Sequence, residues 1–150
     1  MRKMMRWSGV LAGVGLVAAC ASTRIQSAAD VAPSVSLADM AGTWNMRTLN
    51  MPADSVLVTY DIFATNDVSG WTLTFPGRDP IPVRVLEVAG DSVILDAGPY
   101  ASALQHGVTV STRFDMRLQG DSLAGLITAI YNMPEGQTTV PLRVRGRRAR

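Results

Sequence analysis

From Gly42 onward, apolar and polar residues alternate with a period of two. Trp71, Leu73 and Phe75 share one face, with Thr72 and Thr74 on the other. Val108, Val110, Thr112, Phe114, Met116 and Leu118 oppose Ser111, Arg113, Asp115 and Arg117. Val140, Leu142 and Val144 oppose Arg143, Arg145 and Arg147. One apolar and one wet face per segment predicts antiparallel strands around a single interior. Eight strands are predicted, over 43–49, 55–64, 69–75, 81–88, 92–96, 108–118, 122–131 and 138–147. Those at 55–64 and 122–131 are apolar on both faces, which leaves their parity open. In 81–88, strict alternation turns Glu87 inward unless a bulge intervenes. No stretch carries the period of a long amphipathic helix, and the connection 97–107 has room for one helical turn.

The turns point to the topology. Gly90-Asp91-Ser92 and Gly120-Asp121-Ser122 recur at equivalent places, and Gly at the first corner suits a primed hairpin turn. Short, evenly spaced strands without helices fit a sandwich or an up-and-down barrel. Hairpin connections between sequence neighbours favour the barrel, whose closure removes exposed edges. The expected fold is therefore all-β, an eight-stranded antiparallel up-and-down barrel. Connections 65–68, 89–91 and 119–121 are short, whereas 50–54, 76–80, 97–107 and 132–137 are mostly longer and carry Pro. Alternate connections lie at opposite ends, so one end should be tight and the other a looser rim. That rim would carry Met51, Tyr100 and Met133, together with Pro52, Arg78, Leu104, His106 and Pro134. Asn-Met-Pro occurs twice there, at 50–52 and 132–134. Both copies read as turns with an incidental Met or as adaptable apolar contacts.

The first twenty residues follow a different logic. Arg2, Lys3 and Arg6 precede an apolar run of ten, Val10 to Ala19, which has the length of a signal-peptide core and is too short to span a bilayer. The run ends Val17-Ala18-Ala19-Cys20, and Cys20 is the chain's one cysteine. This resembles the lipobox of bacterial lipoproteins: an aliphatic residue, two small residues, and the Cys that is acylated and becomes the new N-terminus. The resemblance implies acylation of Cys20 and membrane lipid as a partner, with anchoring by two or more chains. Ala21 follows where an Asp usually marks retention in the inner membrane, which implies the periplasmic face of the outer membrane in a Gram-negative cell envelope. The expected division is a signal peptide over 1–19, a lipidated Cys and flexible tether over 20–40, and the barrel domain over 41–150. Within the tether, a short turn at Leu37–Met40 enters the domain.

Loss of the signal removes Arg2, Lys3 and Arg6 and leaves eleven arginines against twelve acids. The basic isoelectric point thus belongs to the precursor and does not support nucleic-acid binding. The basic C-terminal stretch Arg143 to Arg150 reads as a solvated edge and tail, or as a weak contact for anionic lipid headgroups. One Cys and one His exclude a disulfide framework and leave no zinc constellation; no metal or cofactor is expected. His106 falls in a rim connection with no acid at motif spacing, and most acids fall at turns, so no catalytic residue is assigned and an enzyme is not expected.

Gly42-Thr43-Trp44 opens the first strand, and an Arg-bearing strand closes the domain. With eight antiparallel strands, this resembles the calycin group of lipocalins, fatty-acid-binding proteins and avidins. The resemblance implies that Trp44 closes the barrel base under an Arg of the last strand, Arg145 first, with Arg143 and Arg147 as alternatives. The domain has no Thr-Asp-Tyr motif and no clear C-terminal helix. It also resembles small periplasmic metalloprotease inhibitors, without their disulfide. Eight-stranded barrels are either filled by side chains or hold one small ligand. The ligand-binding candidates are Tyr60, Trp71, Phe75, Phe114 and Met116, with hydroxyls from Tyr60 and Thr112. Arg84, Arg113, Arg117, Arg143 and Arg145 have outward parity, so a neutral, apolar ligand is favoured over a carboxylate. The expected function is a membrane-anchored envelope lipoprotein binding a small hydrophobic ligand. The alternative is a filled-core interaction or protease-inhibitor-like domain that meets an envelope protein partner through its rim loops.

Overall fold

A computed structural model describes residues 34–150. The signal peptide, Cys20 and the first part of the tether lie outside the described residues. The chain enters through a single helical turn, α1 (Leu37–Met40), whose start is fixed by a reciprocal cap. Asp39 N–H donates to the Ser36 hydroxyl, while Ser36 N–H donates to the Asp39 carboxylate. The hydrogen bonds from the Ser36 hydroxyl and backbone hold the Asp39 carboxyl below its usual range.

Eight strands follow: β1 (Gly42–Leu49), β2 (Val56–Ala64), β3 (Thr72–Thr74), β4 (Ile81–Ala89), β5 (Ser92–Ala101), β6 (Thr109–Gln119), β7 (Ser122–Met133) and β8 (Gly136–Arg148). Each pairs antiparallel with its sequence neighbour, and β8 returns to β1, so the barrel is closed and up-and-down as predicted. The apolar faces turn inward into one core drawn from Val35 onward. The outer wall carries Arg47, Arg84, Arg113, Arg117 and Arg145, the reverse of a transmembrane barrel with its apolar belt outside.

Pairing settles the parity that alternation left open. Met46 lies opposite Tyr60 and Trp44 opposite Ile62, so these β2 residues share the buried side while Leu57 and Phe63 face outward. Likewise Leu123, Ile127, Ala129 and Tyr131 of β7 point inward and Leu126 outward. A bulge between Val85 and Glu87 shifts the register of β4, and Glu87 faces solvent. Strand β5 runs on to Ala101, so no helical turn forms at its end. A second bulge, between Ala97 and Tyr100, absorbs Gly98 and Pro99. Gly98 has φ +110, and a Cβ there would lie 2.8 Å from the Val110 carbonyl oxygen, so glycine alone fits.

The two ends differ as the connection lengths predicted. Turns at 90–91 and 120–121 and the 65–71 connection close one end; α1 and the end of β8 lie there too. Trp44, fully buried, plugs this base and donates its indole N–H to the Met40 carbonyl at 2.8 Å. Arg148, not Arg145, covers it. The Arg148 guanidinium carbon sits 4.4 Å from the Trp44 ring centroid and the group donates to the carbonyls of Ala41 and Asp39. The register gives the reason: Trp44 pairs with Arg148, whereas Arg145 pairs with outward-facing Arg47. Arg143 and Arg147 share Arg145's outward parity, and the Arg145 side chain is 60% exposed.

Candidate functional site: the cup at the open end

The base half of the interior is filled. Trp71 and Met116, 1% and 0% exposed, pack there, and the Trp71 indole donates to the Asp67 carbonyl of a base connection at 2.7 Å. Neither reaches the cavity at the other end.

That end holds a cup of about 40 Å³, lined by residues of β1, β2, β5, β6, β7, β8 and the connections after β3 and β5. The chain contains three tyrosines, and Tyr60, Tyr100 and Tyr131 all line it. Phe75 and Phe114 complete an aromatic wall: Tyr60 and Phe75 ring centroids lie 5.4 Å apart, Tyr60 and Phe114 6.3 Å, Phe75 and Tyr100 5.8 Å. The buried phenols find hydroxyl neighbours. Thr48 Oγ1 donates to Tyr60 Oη at 3.3 Å, and Tyr100 Oη shares a hydrogen bond with Thr112 Oγ1 at 3.2 Å. Nothing that lines the cup carries a charge.

The lip is a short loop after β5. The Ser102 hydroxyl accepts from the backbone N–H groups of Leu104 and Gln105, at 3.1 and 2.9 Å, which fixes the turn that places Leu104 at the mouth. From the neighbouring 75–80 connection, Arg78 donates to the Ala101 carbonyl at 2.8 Å. Its guanidinium also lies 5.7 Å from the Phe75 ring centroid. The rim arginine thus braces the loop through neutral carbonyls and keeps its positive charge at the lip, with no carboxylate partner among the described residues.

Of the ligand-binding candidates, Tyr60, Phe75 and Phe114 meet in the cup, and Trp71 and Met116 do not. Of the rim candidates, Tyr100 and Leu104 line it. Met133 packs partly buried against the core and Met51 is half-buried, but neither is in the lining. Thr48, Ser102 and Tyr131 were not singled out. Thr48 shares the inward parity of Trp44 and Met46, a signal that was legible; Tyr131 lies on the strand whose parity was open.

Burial pushes the hydroxyls of Tyr60, Tyr100 and Tyr131 above the ordinary tyrosine pKa, Tyr60 the most strongly. The folded state therefore keeps its phenol protons after the unfolded chain begins to lose them near pH 10. The stability tied to these groups is full below that pH and falls as pH rises above it. In an alkaline titration, phenolate absorbance is expected to appear together with loss of the β-sheet signal. Three tyrosines ionising near pH 10 in an intact barrel would contradict this site.

Comparison of the chain with protein-family models, curated proteins and solved structures gives no match.

Proposed function

We propose that this chain is a lipid-anchored envelope protein, held through acylated Cys20 at the periplasmic face of the outer membrane. Its calycin-like barrel binds the end of a small, neutral, apolar molecule in the open-end cup. The observation that carries the reading is the cup's chemistry: five aromatic rings, paired hydroxyls and no charge. Such a surface favours apolar groups with at most a hydroxyl or carbonyl to satisfy. A fatty-acid carboxylate inside the cup would have no cation among the lining residues, at a large desolvation cost; the nearest, Arg78, stands at the lip. The anchor rests on the Val17-Ala18-Ala19-Cys20 sequence and the positive segment before it.

Volume limits what enters. A cavity of about 40 Å³ has room for a few waters, whereas sites that enclose drug-sized ligands measure roughly 300–1,000 Å³. The ligand's tip enters and the rest lies over the rim. The same small volume, over a filled base half, supports a second reading in which the rim loops meet a protein partner.

The test is native mass spectrometry of residues 21–150 purified from the host's own periplasm. A bound mass of lipid size or smaller, released by organic extraction and neutral in composition, is the expected result. A clean unliganded mass transfers the weight to the rim-contact reading, and a ligand with no apolar end contradicts the cup chemistry.

A further inference from the structure

The outer wall of β8 and β1 carries a concentration of positive charge that the cup does not use. Every basic residue after Cys20 is arginine, and five of the eleven fall between Arg143 and Arg150. An open groove on this wall is lined by Arg47, Arg145, Arg147, Arg148 and Arg150, with Asp54. Arg143 stands beside it, one step along the outward face of β8. Only two carboxylates answer these arginines among the described residues. Asp54 pairs with Arg143 and with Arg145, the latter at 3.6 Å, and Asp121 pairs with Arg148 at 3.2 Å. Arg47, Arg147 and Arg150 make no ion pair among the described residues.

The pairing is also unfavourable in itself. Arg47 lies directly opposite Arg145 across the β1–β8 ladder. Like charges at facing positions cost stability, and an incoming anion relieves that cost. Arginine is suited to the task, since its planar fork grips phosphate oxygens in pairs. Exposed apolar side chains flank the stripe: Leu126 opposite Arg143, Val56 in the groove lining, and Phe63 opposite Thr43 at the start of β1, each about half exposed. Arginines interleaved with isolated apolar groups match the layered chemistry of a bilayer surface, phosphate outside and acyl chain beneath.

We infer that this wall docks on the anionic phospholipid headgroups of a bilayer. The chain enters the structure at the same end: Val35 bonds to the Gly90 carbonyl of the base, where β8 also ends. The entry lies at the β4–β5 turn, across the base from β8 and β1, so an anchor upstream leaves the cup at the far end. The inference rests on the lipid-anchored reading for which membrane is near, and on the arginine wall for the binding itself.

The test separates the two. The core begins at Val35 and the ladder closes between β1 and β8, so residues 21–150 contain the whole folding unit without any acyl group. This unlipidated chain is sedimented with phosphatidylcholine vesicles, with and without about a third phosphatidylglycerol. Binding is expected only to the anionic vesicles, and to weaken with added salt. Arg47→Gln/Arg145→Gln/Arg147→Gln is expected to weaken it by roughly 100-fold. Arg84→Gln/Arg113→Gln/Arg117→Gln, on the β4–β6 wall with the same charge change, is expected to leave it within a few-fold. A single cooperative melting transition in each confirms that both variants fold. No binding to anionic vesicles, or equal loss in the two variants, overturns the inference. Displacement by inorganic phosphate beyond that by chloride at equal ionic strength assigns the wall to a soluble anion instead, and also overturns it. Lipidation is read separately, from the mass of the protein extracted from its native membrane.

Discussion

Trp44→Ala is expected to lower the stability of the barrel by about 3–5 kcal/mol, the range for removing a fully buried large aromatic side chain. Trp44 has no exposed surface and joins three elements at the base: its N–H holds α1 through the Met40 carbonyl, and its ring face lies under Arg148 of β8. Removing the ring opens a cavity that neighbours cannot close, because Arg148 is itself held by the Ala41 carbonyl at 2.6 Å and by Asp121 at 3.2 Å. Gly42 explains why little can slide in. Its φ is +127, and a Cβ there would lie 3.2 Å from Arg148 Nη1, so the Gly-x-Trp spacing brings backbone and guanidinium close together. Urea denaturation of both proteins measures the difference. A loss under about 1 kcal/mol would mean that Trp44 does not plug the base.

The second large effect is expected from the smallest change. Gly125→Ala adds one methyl group on the inward face of β7, opposite Met116 of β6. Its Cβ would lie 2.0 Å from the Asp115 carbonyl oxygen and 2.7 Å from the Met116 Cα. These are backbone atoms of the paired strand, which move only by breaking the β6–β7 ladder. The expected cost is at the top of the overpacking range, about 3 kcal/mol or more. Gly146→Ala makes the useful contrast. Its Cβ would meet the Met46 sulfur at 2.3 Å, but that is the mobile end of a flexible side chain, so the cost should be smaller. Denaturant midpoints of the two variants give the order directly. A Gly125→Ala protein as stable as the parent would place β6 and β7 farther apart than described.

The barrel was legible because its strands alternate cleanly where one face is wet. Trp71-Leu73-Phe75 and the run Val110 to Leu118 fix their own inward sides, and the paired Gly-Asp-Ser turns set the hairpins. Where both faces are apolar, as in β2 and β7, only cross-strand pairing decides, and so Tyr131 was not placed in the site. Gly98-Pro99 reads as the end of a strand, yet a bulge carries β5 past it and brings Tyr100 to the cup. Arg148 was missed for a different reason. The resemblance asked for an inward Arg on the last strand, while the alternation had already turned Arg143, Arg145 and Arg147 outward. The same alternation extended one residue gives Arg148. The cup's chemistry was partly visible in Tyr60, Phe75 and Phe114. Its small volume was not, because side-chain filling depends on packing across the whole barrel.

The measurement closest to the central claim compares ligand retention in residues 21–150 and in Ala129→Val, both purified from the host periplasm for native mass spectrometry. Ala129 is 2% exposed and lines the cup between Thr112 and Val140 of the flanking strands. Two added methyl groups fill much of a 40 Å³ space without touching the rim loops, and the melting temperature is expected to change little. A neutral ligand mass is expected on the parent, and its loss from the variant. Equal retention by both would place the ligand elsewhere and contradict the cup as the binding site.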